Sequence, residues 1–195
     1  MENKRLKVSW SILNAWAKGD KDGALGMIFG RQIVETPAMA EGKRIHKAIA
    51  RERLPLLPFM DHTYIFEDIR PDDHVWQNYF RVTLSPWLDL SMVADVISLE
   101  RGVVIDWKTG KTDVTAQDPM QLYIYSHAIG IDTGATFGIG IIAKVSSDLV
   151  LGDYMLVKIG DAQRAMALDY IETYASEIYA ELTGNKLALE AKSGK

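Results

Sequence analysis

Two apolar strands joined by a very short turn dominate the middle of the chain, and both carry carboxylates. Leu88 to Leu99 and Gly102 to Trp107 read as strands, with a tight turn at Glu100-Arg101-Gly102 between them. The period of two sets Val104, Asp106 and Lys108 on one face of the second strand, and Val103, Ile105 and Trp107 on the other. On the first strand Leu90, Met92, Ala94 and Val96 form an apolar face, and Asp95 points the other way. A hairpin centred between residues 100 and 101 sets Asp95 opposite Asp106, with Cβ atoms about 5 Å apart. Two carboxylates that close repel unless a cation lies between them. Burying that face leaves Asp106 and Lys108 in need of a partner, a metal or each other. Hard oxygen donors favour Mg²⁺ or Mn²⁺ over zinc. The plain alternative is a surface hairpin with solvated charges.

The rest of the composition narrows the class. With 195 residues, 48% of them apolar, the chain can build a core without a disulfide or a structural metal. There are no cysteines. This excludes a disulfide framework, a thiolate zinc site, a cysteine nucleophile and an all-cysteine iron–sulfur cluster. The 22 basic and 26 acidic side chains give a net charge of −4, so any nucleic-acid contact must use a local patch. The basic run Lys43, Arg44, Lys47 and Arg51 is the best candidate for one, with a solvated helix face as the equal alternative. No apolar h-region follows the N-terminus and no apolar run approaches the ~20 residues of a membrane span, so the expectation is a soluble, cytoplasmic chain.

The coarse element order predicts a mixed α/β (α+β) fold, with a central mixed sheet flanked by helices. Ser9 to Ala17 reads as a helix capped by Ser9 or Ser11, with Ile12, Leu13 and Trp16 inward. Gly19 to Gly30 reads as a loop. Glu41 to Arg53 reads as a helix presenting Ile45, Ala48 and Ile49, stopped by Leu54-Pro55. Strands are expected at Thr63 to Ile69 and Asn78 to Leu84 around the turn Pro71-Asp72-Asp73. Asp118 to Ile129 reads as a helix with Asp118 as cap, Pro119 in the first helical position and Gln121 three residues after the cap. Thr136 to Val145 and Leu149 to Lys158 pair as a hairpin. Asp161 to Leu182 reads as a long helix with an apolar stripe of Met166, Tyr170, Tyr174, Ile178 and Leu182, ended by Gly184. These elements make one domain, 1–189, followed by a flexible tail, 190–195.

Taken in order, four elements resemble the RecB-type branch of the PD-(D/E)XK nuclease superfamily. They are Gly42-Lys43-Arg44-Ile45-His46 on a helix, Asp95 on a strand, Asp106-Trp107-Lys108-Thr109-Gly110 on the next, and Gln121 to Tyr125 on the following helix. The opening Ser9-Trp10-Ser11-Ile12-Leu13 is similar to the serine-rich start of the same branch. The resemblance spans about residues 9 to 130 and implies a restriction-endonuclease-like core. It implies that His46, Asp95, Asp106 and the main-chain carbonyl of Trp107 bind Mg²⁺ or Mn²⁺. It implies that Lys108 acts on the attacking water or the scissile phosphate, and that Gln121 and Tyr125 face the site. The i, i+4 spacing of the last two suits that role. Many small members of the branch carry an iron–sulfur cluster, which this chain cannot hold, and Met92 stands where the branch often has glycine.

Each residue has a structural alternative: His46 on a helix surface, Gln121 closing a capping box with Asp118, Tyr125 in the core. His62, His74 and His127 match no motif, and the tryptophans are expected to pack rather than stack on bases. The implied function is a stand-alone metal-dependent DNA nuclease, exonuclease-like, in repair, recombination or phage- and CRISPR-related processing. No helicase motif is present, so any helicase partner is a separate chain. The alternatives are an inactive nuclease-fold module that binds DNA or a partner protein, and a dimeric sequence-specific endonuclease. The complete acid, acid and lysine set favours an enzyme over the inactive module.

Overall fold

A computed structural model of the chain describes residues 5–31, 35–52, 74–99, 102–110 and 113–184. In chain order these form β1 (Leu6–Val8), α1 (Trp10–Ala17), α2 (Lys21–Ile28), α3 (Pro37–Glu52), β2 (His74–Ser85), β3 (Leu88–Ser98) and β4 (Val103–Lys108), followed by α4 (Met120–Thr133), β5 (Ile139–Val145), β6 (Leu151–Lys158) and α5 (Asp161–Thr183). The α/β class with a mixed sheet between helices is what the chain adopts. The Leu54-Pro55 stop, the strand at 63–69, the turn at 71–73, Glu100-Arg101 and the tail at 190–195 lie outside the described residues.

Among the described residues the sheet has six strands, organised around β3. β2 pairs antiparallel with β3 along its whole length, from His74–Ser98 to Ser85–Leu88. A strand has two edges, so β1 and β4 share the other one. β1 lies parallel beside Leu88, Asp89 and Leu90, and β4 antiparallel beside Val96, Ile97 and Ser98. β5 then pairs parallel with β4, and β6 antiparallel with β5. The parallel β4–β5 pair requires a crossover, which α4 supplies.

The hairpin register is the expected one, with Val96 opposite Ile105, Ile97 opposite Val104 and Ser98 opposite Val103. Gly102 closes the turn at φ +63°, and a Cβ there would lie 2.3 Å from the Thr136 carbonyl oxygen, so only glycine fits. The β3–β4 ladder stops at Val96–Ile105, while β4 continues along β5 to the Lys108–Lys144 pair. The two strands therefore fork apart at Asp95 and Asp106.

The fork corrects one expectation. Leu90, Met92 and Ala94 share the larger core cluster, but Val96 belongs to the smaller one and Ile97 to the larger. The sidedness of β3 thus changes at Asp95, where its free edge passes from the end of β1 to the start of the β4 ladder. The larger cluster fills the space between the sheet and α1, α4 and α5. The smaller one holds Ile45 and Ile49 of α3 against Val103, Ile105, Trp107 and Ile141.

Three further expectations are corrected. The segment expected to be a loop contains α2, whose first turn is held by Asp20 accepting from Gly23 N–H at 2.9 Å. That cap and the buried Ala24 outweigh the helix cost of Gly23 and Gly26. Pro119 precedes α4 instead of opening it, and Asp118 caps by accepting from Met120 N–H at 2.9 Å. On α5 the buried stripe is Ala167, Ile171, Ala175 and Ile178, while Met166 and Leu182 are exposed and Tyr170 and Tyr174 only partly covered. The helix is rotated by about one residue from the bulky stripe, because the alanines let it lie close to its neighbours. Gly184, at φ +64°, ends it as expected.

Candidate active site

The fork brings the charged residues onto one cleft of about 430 Å³, lined by His46, Asp95, Asp106, Trp107, Lys108 and Gln121. Asp95 comes from β3, the next three from β4, His46 from α3 and Gln121 from the first turn of α4. Ile45 and Ile49 anchor α3 on the sheet, which carries His46 to the fork. Gly42, one turn earlier, permits this approach: a Cβ there would lie 3.1 Å from Thr109 Oγ1, just beyond Lys108. The Gly-x-x-x-His spacing thus has a physical basis. The glycine lets the helix close on the end of β4, and the histidine one turn on reaches Asp95.

Asp95 uses both oxygens. Oδ1 lies 2.8 Å from His46 Nδ1, and Oδ2 accepts from the Trp107 main-chain N–H at 2.9 Å. The second bond takes the place of a ladder bond that the diverging strands no longer make. Burial works to lower the His46 pKa, but the Asp95 hydrogen bond and the charges of Asp95 and Asp106 outweigh it, so the imidazole holds its proton more firmly than usual.

Asp106 is treated differently. Its side chain is only 8% exposed. Burial pushes its carboxyl up to about 6, with Lys108 pulling against the rise and Asp95 adding to it. Lys108 Nζ lies 2.6 Å from Oδ2, a close ion pair. The amine also donates to Gln121 Oε1 at 3.1 Å, and Gln121 Nε2 donates to Tyr125 Oη at 3.3 Å. Gln121 therefore orients the lysine and does not close a capping box. Tyr125 is buried, and burial raises its phenol above the ordinary range.

Among the described residues no three His, Asp or Glu side chains stand as a ready-made metal cluster. His46 is engaged by Asp95, and Asp106 by Lys108. The chemistry of the donors nevertheless fits a hard divalent ion. Two carboxylates and an imidazole meet at one cleft, and the buried Asp106 carboxylate has its pKa raised despite the adjacent Lys108.

The basic run on α3 is divided. Arg44 is held by Glu41 at 2.7 and 2.8 Å and by the Ser147 carbonyl at 3.0 Å. Lys43 pairs with Glu35 at 2.6 Å and borders a cavity beside His46. His127 stands apart from the cleft, as expected, and burial lowers its pKa. Sequence reasoning passed over Val93 and the Trp107 N–H. Nothing in a single apolar position or an amide marks it in advance.

No family model matches the chain, and no curated protein matches it. Solved structures do. A candidate exonuclease from Eubacterium rectale is 15% identical with a TM-score of 0.60, covering 93% of this chain and 82% of that one. An alkaline exonuclease from Laribacter hongkongensis is 15% identical with a TM-score of 0.55, covering 97% of this chain and 94% of that one. The same enzyme in complex with dAMP matches at 15% identity with a TM-score of 0.52. The chain shares the fold of these proteins. At this identity the likeness is one of fold.

Proposed function

We propose that the protein is a divalent-metal-dependent deoxyribonuclease, exonuclease-like, of the RecB-type branch. The observation that carries this reading is the fork: a strand pair diverges at two carboxylates, one lysine and one histidine, and leaves Asp106 buried with Lys108 as its counter-charge. Further support comes from fold neighbours described as exonucleases, one of them crystallised with a deoxynucleoside monophosphate.

Asp95, Asp106, His46 and the Trp107 carbonyl would hold Mg²⁺ or Mn²⁺. When bound, such an ion supplies a Lewis acid that activates water and offsets charge on the scissile phosphate. Lys108 presents its amine to the cleft and is positioned by Gln121, itself held by Tyr125. A cation there orients the attacking water or stabilises the negative charge that grows on the phosphate oxygens. The reaction is attack of water on phosphorus with departure of one ester oxygen, giving a phosphate monoester and a free hydroxyl. The setting we propose is cytoplasmic DNA repair, recombination or phage- and CRISPR-related processing, with any helicase supplied by another chain. No described helix is long and apolar enough to cross a membrane.

The test uses end-labelled linear and circular DNA, single and double stranded, with RNA as a control, in Mg²⁺, Mn²⁺ or excess EDTA. The reading expects linear DNA to be degraded with metal and untouched in chelator. Cutting that persists in chelator contradicts the mechanism. Absence of cutting under every metal leaves the inactive binding module in its place.

A further inference from the structure

Beyond the fork, part of the outward side of β2 and β3 is uncovered. Tyr79 is 61% exposed, and Val93, its cross-strand partner, 49%. Their strand neighbours Phe80, Met92 and Ala94 are buried, so this exposure is not a fraying edge. The pair borders a cavity of about 730 Å³ that shares Trp10, Ser11, His46 and Val93 with the catalytic cleft. An exposed aromatic beside an exposed aliphatic, continuous with a charged cleft, is the kind of surface that marks a binding site.

The strand period extends this surface into a line. Tyr79 and Arg81 fall on one side of β2, and Asp89, Ser91, Val93 and Asp95 on one side of β3. At the far end Arg81 and Arg5 both approach Asp89, two cations to one carboxylate. At the flank stands Lys43, whose pair with Glu35 is exposed on both sides and readily displaced by a phosphate. The run from Asp89 to Asp95 spans roughly 20 Å at about 3.3 Å per residue, enough for a few nucleotides.

We infer that this face is a track for a single DNA strand, with a base stacked on Tyr79 between the Arg81–Arg5 end and the catalytic fork. The inference rests on the nuclease reading and names its substrate class. In a duplex both faces of a base are covered by its stacked neighbours. Away from the end of a duplex, only an unstacked nucleotide can offer a face to Tyr79, and along a track of several nucleotides only a single strand does so. Stacking on an aromatic ring beside an aliphatic side chain reads no base edges, so the track tolerates any sequence. A chain of net charge −4 must hold a polyanion locally, which the cations at the end and flank of the line provide.

The test measures binding of fluorescein-labelled oligothymidylate and of a blunt duplex in EDTA, so that cleavage plays no part. Tyr79→Ala should weaken oligothymidylate binding by about 5- to 150-fold, the range for loss of one stacked base. Tyr79→Phe, which keeps the ring, should bind as wild type, and the duplex should bind wild type less tightly than the single strand. With metal present, Tyr79→Ala should raise KM and spare kcat. The inference is overturned if Tyr79→Ala binds oligothymidylate as wild type does, or if the wild type binds both DNAs equally. Should the wild type never cleave yet lose single-strand binding on Tyr79→Ala, the nuclease reading fails and the track stands.

Discussion

Neighbouring strands each bury an aspartate, Asp89 on β3 and Asp106 on β4, and the chain treats them in opposite ways. Asp89 is completely covered, but both its oxygens are used. Arg81 donates to Oδ2 at 3.1 Å through Nε and at 2.5 Å through Nη2, Thr83 donates to Oδ1 at 2.9 Å, and Arg5 stands 3.6 Å away. Burial alone would raise its pKa, yet these partners hold it below the usual carboxylate range. At the fork, Asp106 is almost as deeply buried and has one lysine for company, and burial still lifts its carboxyl to about 6. Satisfying a buried charge makes it a structural joint. Leaving it under-satisfied costs stability and keeps a ligand in reserve.

The largest expected effect falls at the fork. Lys108→Ala should lower cleavage by about two to three orders of magnitude, the scale for losing one group that meets developing charge. It should do so mainly through kcat, with DNA affinity and melting temperature little changed. Steady-state kinetics beside thermal melting check this, and unaltered cleavage would place the lysine outside the chemistry.

Next comes a contrast of sign. Asp89→Asn removes charged hydrogen bonds and should cost about 2 kcal/mol. Asp106→Asn, measured in chelator, should gain about 1 kcal/mol, because an under-paired buried charge disappears and the partly exposed Lys108 keeps Gln121. Urea denaturation at neutral pH reads both. The comparison breaks if the two variants shift stability in the same direction. Asp89 also sets a pH dependence. Its folded pKa lies below the unfolded value of about 3.9, so its contribution is present above that pH and lost as pH falls through the folded value. Asp89→Asn should flatten stability in that acid range, as denaturation curves between neutrality and about pH 3 would show.

A smaller effect is expected at Gly42. Gly42→Ala puts a methyl group 3.1 Å from Thr109 Oγ1, at the tip of a small side chain that can give way. Activity should fall only a few-fold, through displacement of His46, at a stability cost under about 1 kcal/mol. A variant as inactive as Lys108→Ala would mean that α3 tolerates no movement at all.

The hairpin register was legible because a short turn and a period of two leave one way to pair the strands, and Asp95 and Asp106 follow from it. The contrast between Asp89 and the fork was not legible. In sequence Asp89 and Asp95 look alike, each a lone carboxylate among alternating apolar residues. They differ in what packs beside them, namely Arg81, Thr83 and Arg5 in one case, His46, Trp107 and Asp106 in the other. The fork itself is a place where pairing stops, and no residue type announces that. The α5 face was misread because bulky side chains outweigh alanines in an apolar pattern, whereas close packing selects the alanines.

The account turns on the claim that Asp106 is held in reserve for a divalent cation while Asp89 is spent on the fold. Titration of Mn²⁺ into wild type, Asp106→Asn and Asp89→Asn, followed by calorimetry, tests it without reference to activity. Wild type and folded Asp89→Asn should bind alike, and Asp106→Asn should bind at least about tenfold more weakly, a loss of roughly 1.4 kcal/mol or more. Equal binding by Asp106→Asn and wild type, or loss of binding in a folded Asp89→Asn, would contradict it.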